Sequence, residues 1–97
     1  MAKRVIWSLR AKEERREILA YWVERTGDKT YSRKLAKAFR EKIKFIIRNN
    51  YAGTATDIDN VRVTVCGNYL FFYEVDKEFI KILSVWDGRR NPEDLNL

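Results

Sequence analysis

The fold of this chain is decided by residues 61–92, which read VRVTVCGNYLFFYEVDKEFIKILSVWDGRRNP. The stretch has three β-type segments separated by two short turns, with the strands at residues 61–66, 68–75 and 79–86 and the turns at residues 67–68 and 76–78. Turns this short join antiparallel neighbours. The middle segment is apolar on both faces, which is typical of a central strand. The stretch therefore predicts an antiparallel sheet of three consecutive strands.

Two helical segments precede these strands. In residues 11–26 and 31–50, apolar side chains repeat every three or four residues, as one face of a helix requires. The clearest repeat consists of Leu35, Phe39, Ile43 and Ile46. Gly27 lies where the end of a helix favours a left-handed residue, and Thr30 is the expected cap of the second helix. The two segments predict an αα-hairpin whose apolar faces need a cover.

The remaining segments complete a β-α-α-β-β-β order. Residues 3–9 are a short β-prone run, which we expect to join an edge of the sheet, and residues 49–60 are a polar connector. The predicted fold class is α+β: a curved antiparallel sheet packed on one face by the αα-hairpin, with residues 1–97 forming a single domain. The other face of the sheet would be partly open.

Candidate binding residues cluster at the end of the last predicted strand. Gly88 and Pro92 enclose an arginine pair there, and such a turn can present guanidinium groups to a phosphate or a carboxylate. The predicted phosphate-binding or partner-binding set consists of Arg62, Trp86, Asp87, Arg89 and Arg90.

Arg62 joins this set only through an assumption about the first strand of the sheet. Alternation places Val61, Val63 and Val65 on one face. If that face packs on the helices, Arg62 projects onto the open face, where it can form one cationic cluster with the arginines of the turn. The structural alternative makes Trp86 a core anchor and Asp87 an ion-pair partner of one of the arginines.

The second helical segment also carries a cationic stripe opposite its apolar face. Its members, spaced three or four residues apart, are Arg33, Lys37, Arg40, Lys44 and Arg48. Like charges at these spacings repel by roughly 0.2–0.5 kcal/mol per pair, so a polyanionic or acidic partner would relieve the strain. The alternative is an ordinary solvated helix face.

Composition removes several classes of chemistry. The chain has no histidine and a single cysteine, Cys66, so it has neither an internal disulfide nor Ser-His or Cys-His catalysis. The same composition predicts no metal site and no cofactor.

Residues 1–50 carry 15 Lys and Arg against 6 Asp and Glu (+9), and residues 51–97 carry 5 against 8 (−3), which together give the net +6. No run is apolar enough to span a membrane, and we expect a cytoplasmic protein.

With its order of elements, length and charge, the whole chain resembles the RelE/ParE superfamily of toxins from type II toxin–antitoxin systems. The residues that carry the resemblance are VRVTVCGNYLFFYEVD and IKILSVWDGRRNPEDL, which resemble the second to fourth strands of that family. It implies a growth-inhibiting toxin that is neutralised by a cognate antitoxin and acts on DNA gyrase or on translation. An open sheet side and exposed edges also favour a homodimer.

The resemblance also implies candidate catalytic residues. Arg62 and Arg89 are similar to the basic residues on the second and fourth strands of the family. Tyr69 and Tyr73 are the two residues considered as the acid, and Tyr73 is the candidate. The ribonuclease branch uses a Tyr or His near the C-terminus, and this chain has neither after Arg90. Two alternatives to a toxin of unresolved target therefore stay open: an mRNA endoribonuclease that acts at the ribosome, and a non-catalytic basic module that binds nucleic acid.

Overall fold

The structure, a computed structural model, describes residues 3–97. Its elements are β1 (Arg4–Trp7), α1 (Leu9–Thr26), α2 (Thr30–Arg48), β2 (Thr54–Ala55), β3 (Val61–Cys66), β4 (Tyr69–Val75) and β5 (Phe79–Asp87), followed by a 3₁₀ turn at Pro92–Asp94. The predicted α+β class, the αα-hairpin and the three consecutive strands are confirmed. Within residues 3–97, neither helix is long and apolar enough to cross a membrane.

The sheet has five strands in the order β1-β5-β4-β3-β2, so β4 lies at its centre. The pairs of β3 with β4 and of β4 with β5 are antiparallel, as predicted. β2 also pairs with β3 in the antiparallel sense. β1 joins the edge as expected, but it pairs with β5 in parallel, so the sheet is mixed rather than purely antiparallel. The connector contains the two-residue strand β2, which is too short to leave a pattern in the sequence.

The helix ends differ slightly from the sequence prediction. Ser8, assigned above to a strand, is the N-cap of α1, and its hydroxyl accepts a hydrogen bond from the Ala11 N–H at 3.0 Å. Gly27 ends α1 in the left-handed region at φ 83°, as predicted. The cap predicted at Thr30 is wrong. Thr30 lies inside α2, and its N–H donates to the carboxylate of Asp28 at 2.9 Å.

The core lies between the helices and one face of the sheet. Phe39 of α2 is 1% exposed and meets the rings of Tyr69 and Phe71 edge-on, with centroids 5.6 and 5.2 Å apart. Burying a phenylalanine side chain of this kind contributes about 1.5–3 kcal/mol to folding. The apolar face predicted for α2 is therefore the face that packs on the sheet.

The face predicted for β3 is wrong. Cross-strand partners share a face, and Cys66 pairs with Tyr69, whose ring packs on α2. The even-numbered residues of β3 therefore face the helices, while Val65 on the opposite face is 58% exposed. The two-residue turn after Cys66 fixes this register, and the large rings of β4 decide which face of the sheet is covered.

Candidate functional site

A groove with a volume of about 320 Å³ lies between α1 and the C-terminal end of β5. We call it the β5 groove, and it is lined by Glu14, Glu17, Ile18, Tyr21, Tyr69, Val85, Asp87, Arg89 and Arg90. Three of the predicted binding residues therefore lie here together: Asp87, Arg89 and Arg90.

A β-bulge shapes one wall of the β5 groove. Phe72 pairs with Ser84 and Tyr73 with Ile82, so Leu83 is an extra residue in β5. β1 pairs with β5 only as far as Ile82, so the next residues of β5 have no neighbouring strand on that side. The carboxylate of Glu14 fills this position. It accepts a hydrogen bond from the Ser84 hydroxyl at 2.8 Å and another from the Val85 N–H at 3.1 Å. A side chain from α1 therefore satisfies an otherwise open stretch of sheet edge.

The turn after β5 holds an ion pair. The side chain of Arg89 donates to both carboxylate oxygens of Asp87, at 3.0 and 2.9 Å, and its backbone N–H donates to the same carboxylate at 2.9 Å. The Arg89 side chain lowers the pKa of Asp87 through these bonds, and Asp87 raises the pKa of Arg89. The charge of Arg89 is thus balanced within the chain, as the structural alternative for Asp87 anticipated.

Gly88 allows this turn to approach β4 closely. Its N–H donates to the Asn68 carbonyl at 2.7 Å, and a Cβ at this position would lie 3.0 Å from the same oxygen. A side chain here would push the turn away from the hairpin that follows β3. The glycine therefore helps to fix where Arg89 and Arg90 emerge.

Arg90 covers Trp86 at the end of the sheet. Trp86 is 3% exposed, pairs with Leu70 on the face away from the helices, and has the guanidinium of Arg90 4.2 Å from its ring centroid. Trp86 is therefore buried as the core-anchor alternative predicted, although it lies outside the cluster beneath the helices. Among residues 3–97, the guanidinium of Arg90 has no hydrogen-bond or ion-pair partner, so its donors are free for a ligand.

Aromatic side chains form the opposite wall of the groove. Tyr69 is 4% exposed and its hydroxyl accepts a hydrogen bond from the Trp22 indole N–H at 2.8 Å; burial raises its pKa. Tyr21 is 54% exposed at the groove mouth and lies edge-on to Trp22, at 5.1 Å between centroids. Neither Tyr21 nor Glu14 was among the predicted site residues. The signal that the sequence offered for them is their spacing of three and four residues from Ile18, which places all three side chains on one face of α1.

Arg62 lies elsewhere. It pairs with Tyr73, whereas Asp87 pairs with Tyr69, four residues away along β4, which corresponds to about 13 Å. Its guanidinium donates to the carbonyls of Tyr51 and Gly53, at 3.1 and 2.7 Å. The predicted single cluster of Arg62 with Arg89 and Arg90 is therefore not formed.

Tyr73 is held by the same connector. It is 0% exposed, its hydroxyl donates to the Asn50 carbonyl at 3.0 Å, and it accepts from the Gly53 N–H at 3.0 Å. Burial raises its pKa. Both Tyr73 and Arg62 thus hold the polar connector against the sheet, and a catalytic part for either one stays a prediction.

The cationic stripe is exposed along its whole length on α2. Among residues 3–97, the only ion pair that involves the stripe joins Lys44 to Glu41, at 3.7 Å. The face is therefore open and carries a largely unbalanced positive charge. Whether it binds a partner stays a prediction.

A comparison of the sequence with protein families finds one that is described as the ParE toxin of the type II toxin–antitoxin system parDE, and the match covers residues 5–92. No protein of curated function matches the chain.

Several solved structures are similar in fold, and two of them are described here. A chain of the chromosomal ParDE TA system from P. aeruginosa superposes with a TM-score of 0.76 at 19% identity, over 89% of this chain and 96% of that one. The YoeB dimer from Staphylococcus aureus gives a TM-score of 0.63 at 18% identity, over 89% and 97%. At these identities the likeness establishes the fold alone.

Proposed function

This chain belongs to the family of ParE toxins of type II toxin–antitoxin systems, and on that premise we propose that it arrests growth by binding its target without cleaving RNA. A cognate antitoxin, encoded beside it, holds it inactive. Within this proposal the target is DNA gyrase, because the gyrase-directed branch of the superfamily that the sequence resembles lacks the ribonuclease constellation.

One observation carries the choice against cleavage: the groups that RNA cleavage would need are engaged inside the protein. A ribonuclease needs a base for the 2′-hydroxyl, an acid for the leaving oxygen and a charge clamp on the phosphate. The hydroxyls of Tyr69 and Tyr73 are buried and hydrogen-bonded, and burial raises both pKa values. Arg62 is held by backbone carbonyls.

The β5 groove is the proposed contact surface for the target. Its lining includes Arg90, whose guanidinium covers Trp86 and has no polar partner among residues 3–97, and Tyr21, whose ring is 54% exposed. Aromatic and arginine side chains of this kind often dominate the energetics of protein interfaces. The charges of Asp87 and Arg89 neutralise each other, so this pair would add contact surface for the target but little net charge.

Three parallel assays test the proposal. Expression of the chain alone should arrest growth, the purified protein should inhibit supercoiling by gyrase, and primer extension in a translating extract should show no new mRNA ends. New ends in the extract that disappear in Arg62→Ala or Arg89→Ala would establish the ribonuclease alternative instead. Harmless expression of soluble protein would contradict a toxin of either kind.

Substitutions at the groove locate the contact. Tyr21→Ala combined with Arg90→Ala should weaken gyrase inhibition by roughly tenfold or more, because truncating an interface anchor typically costs 1–2 kcal/mol or more. Lys77→Ala, in the turn before β5 and so at the opposite end of that strand from the groove, is the exposed control. Thermal melts of each variant separate lost binding from lost folding, since Arg90 also covers Trp86.

The cationic stripe favours a second candidate function, the binding of nucleic acid, because it is exposed along its length. Binding of this kind weakens steeply as salt is added, because phosphates release counterions when cations neutralise them. A titration of labelled DNA and RNA at two salt concentrations tests it. A flat salt response, or equal binding by Lys37→Glu combined with Lys44→Glu, would exclude it.

A further inference from the structure

We propose that the cationic stripe and two exposed aromatic side chains at the C-terminal end of α2 together bind single-stranded nucleic acid. The stripe holds the phosphates, and the rings of Phe45 and Tyr51, which we call the ring pair, stack on the bases. The inference rests on the second candidate function and deepens it, because it names the class of nucleic acid and adds two residues that are not members of the stripe.

The positive charge of the chain is concentrated in α2. This helix, Thr30–Arg48, carries seven Lys and Arg and a single carboxylate, which gives it a net charge of +6. The rest of the chain carries 13 Lys and Arg against 13 Asp and Glu, so α2 accounts for the whole net charge. Within residues 3–97, the one ion pair that offsets this charge joins Lys44 to Glu41. A polyanion therefore gains more at this surface than at any other helix or strand of the chain.

The stripe follows one line along the axis of α2. Its members are three or four residues apart, so consecutive cations step forward by about 4.5–6 Å. From Arg33 to Arg48 the stripe extends about 22 Å. Cations arranged in this way can follow one phosphate backbone over several nucleotides.

Phe45 borders the stripe at its C-terminal end. It follows Lys44 directly and precedes Arg48 by three residues, a spacing that makes side chains neighbours on a helix. Phe45 lies outside the apolar face that packs on the sheet and is 41% exposed, and the Nζ of Lys42 lies 4.9 Å from its ring centroid. The ring is therefore accessible to a ligand that the neighbouring cations attract.

Tyr51 supplies the second ring just beyond the end of α2. It is 65% exposed, and the guanidinium of Arg62 lies 5.1 Å from its ring centroid. The same guanidinium donates to the carbonyls of Tyr51 and Gly53, so the backbone that carries the ring is held against the sheet. Because this arrangement exists before a ligand binds, stacking on the ring costs less conformational entropy.

Exposed rings beside a line of cations distinguish unpaired bases from paired ones. Bases in a duplex stack on one another and turn only their edges to the grooves, whereas unpaired bases expose their faces. Aromatic side chains stack on these faces with little dependence on sequence. A single strand of DNA or RNA therefore uses both the stripe and the ring pair. A duplex or an acidic peptide would neutralise the stripe but would supply no unpaired base to the rings.

Fluorescence anisotropy with four labelled probes tests the proposal. The purified chain is titrated with single-stranded DNA, single-stranded RNA, duplex DNA and a DNA strand without bases, each about twelve nucleotides long. The single strands should bind at least about tenfold tighter than the strand without bases, which carries the same phosphates. They should also bind tighter than the duplex, although the duplex offers the stripe more phosphates. The tighter of the DNA and RNA strands identifies the natural ligand.

Substitutions in the ring pair separate stacking from charge. Phe45→Ala combined with Tyr51→Ala should weaken the single strands by about tenfold or more and leave the strand without bases within about twofold. The dependence of affinity on salt should keep its slope, because no cation is lost. Val65→Ala is the control. Its side chain is exposed and apolar but lies on the face of the sheet away from the helices, so every affinity should stay within about twofold.

Two further variants complete the comparison. Lys37→Glu combined with Lys44→Glu should weaken all four probes and reduce the slope of affinity against salt, because phosphate contacts are lost. Phe45→Trp combined with Tyr51→Trp should keep or raise the affinity for the single strands, because flat rings remain in place. Weak binding by both the Ala pair and the Trp pair would show that the surface depends on these two side chains for its shape, and that result would contradict stacking.

The other contradicting outcomes are equally direct. They are equal affinity for the single strands and the strand without bases, tighter binding of the duplex, and unchanged binding by the Ala pair. A polyglutamate peptide that binds tighter than the single strands would assign the stripe to an acidic protein segment. A flat salt response would remove the second candidate function together with this inference. A steep salt response with equal binding of the strand without bases would remove this inference alone.

Discussion

Replacing Tyr73 by phenylalanine removes one oxygen atom from the centre of the sheet and two hydrogen bonds with it. The N–H of Gly53 would then be buried without an acceptor, a loss that typically costs about 1–3 kcal/mol. The Asn50 carbonyl is partly buried and water can reach it, so its lost bond costs about 0.5–1 kcal/mol. We therefore expect Tyr73→Phe to lower the free energy of unfolding by about 1.5–4 kcal/mol.

Equilibrium unfolding in urea measures that difference directly. For a domain of this size, the same loss lowers the midpoint of thermal unfolding by roughly 6–30 °C. The matched control is Tyr31→Phe. Its residue is 41% exposed, and within residues 3–97 its hydroxyl makes no hydrogen bond, so the change should stay within about 0.5 kcal/mol.

The result also separates a structural tyrosine from a catalytic one. Equal stabilities for Tyr73→Phe and the control would refute the reasoning, because the two hydrogen bonds would then contribute nothing measurable. A variant that keeps its stability while a ribonuclease activity disappears would make Tyr73 a catalytic acid. We expect instead that the polar connector loosens, which increased hydrogen exchange at residues 50–55 would report.

Three further predictions concern the same contacts. Glu14→Ala leaves the buried N–H of Val85 without its acceptor and should lower the free energy of unfolding in urea by about 1–3 kcal/mol. Glu14→Gln keeps an acceptor and should lower it clearly less. Equal losses in the two variants would contradict the role of Glu14 at the edge of β5. Burial raises the pKa values of Tyr69 and Tyr73, so above about pH 10 the folded state binds more protons than the unfolded state. The free energy of unfolding should therefore fall as the pH rises through this range. A free energy of unfolding that stays level there would contradict this prediction. Gly53→Ala should destabilise by about 1–3 kcal/mol, because the new Cβ would lie 2.6 Å from the Tyr73 oxygen and 2.9 Å from a carbonyl of β3; a neutral result in thermal melts would show that the connector can move aside.

The parts of the fold that the sequence predicted are those with a local cause. The spacing of Leu35 and Phe39 identifies the buried face of α2, and Gly27 marks the end of α1 by its left-handed backbone. The five consecutive apolar and aromatic residues at 69–73 identify β4 as a central strand. Each of these signals lies within a few residues, so reading the chain segment by segment recovers it.

The face of β3 could not be predicted in this way. Its valines are more apolar than its even-numbered residues, so the strand alone favours covering the valines. The covered face is set instead by pairing with β4, where the rings of Tyr69 and Phe71 meet Phe39. Both faces of β4 are apolar, and only the position of the helices decides between them.

In the candidate site, too, the local contacts could be predicted from the sequence and the long-range contacts could not. The ion pair of Asp87 with Arg89 spans two residues and was among the alternatives considered from the sequence. The contact of Glu14 with Ser84 spans 70 residues, and the bonds of Arg62 end on backbone carbonyls, which carry no residue pattern. Long-range contacts to backbone atoms therefore account for most of what the sequence did not reveal.

The parallel pairing of β1 with β5 has a consequence for the timing of synthesis. Arg4 and Phe79 are register partners. β1 therefore cannot pair with β5 until the ribosome has added the following 75 residues. At about 5–20 residues per second, that delay is roughly 4–15 s. The helical hairpin and the hairpin of β3 with β4 can form from local contacts during this delay, but the pairing of β1 with β5 forms last. A ribosome that stalls before β5 releases a chain without this edge of the sheet and without the β5 groove, so incomplete products are expected to be harmless to the cell that makes them.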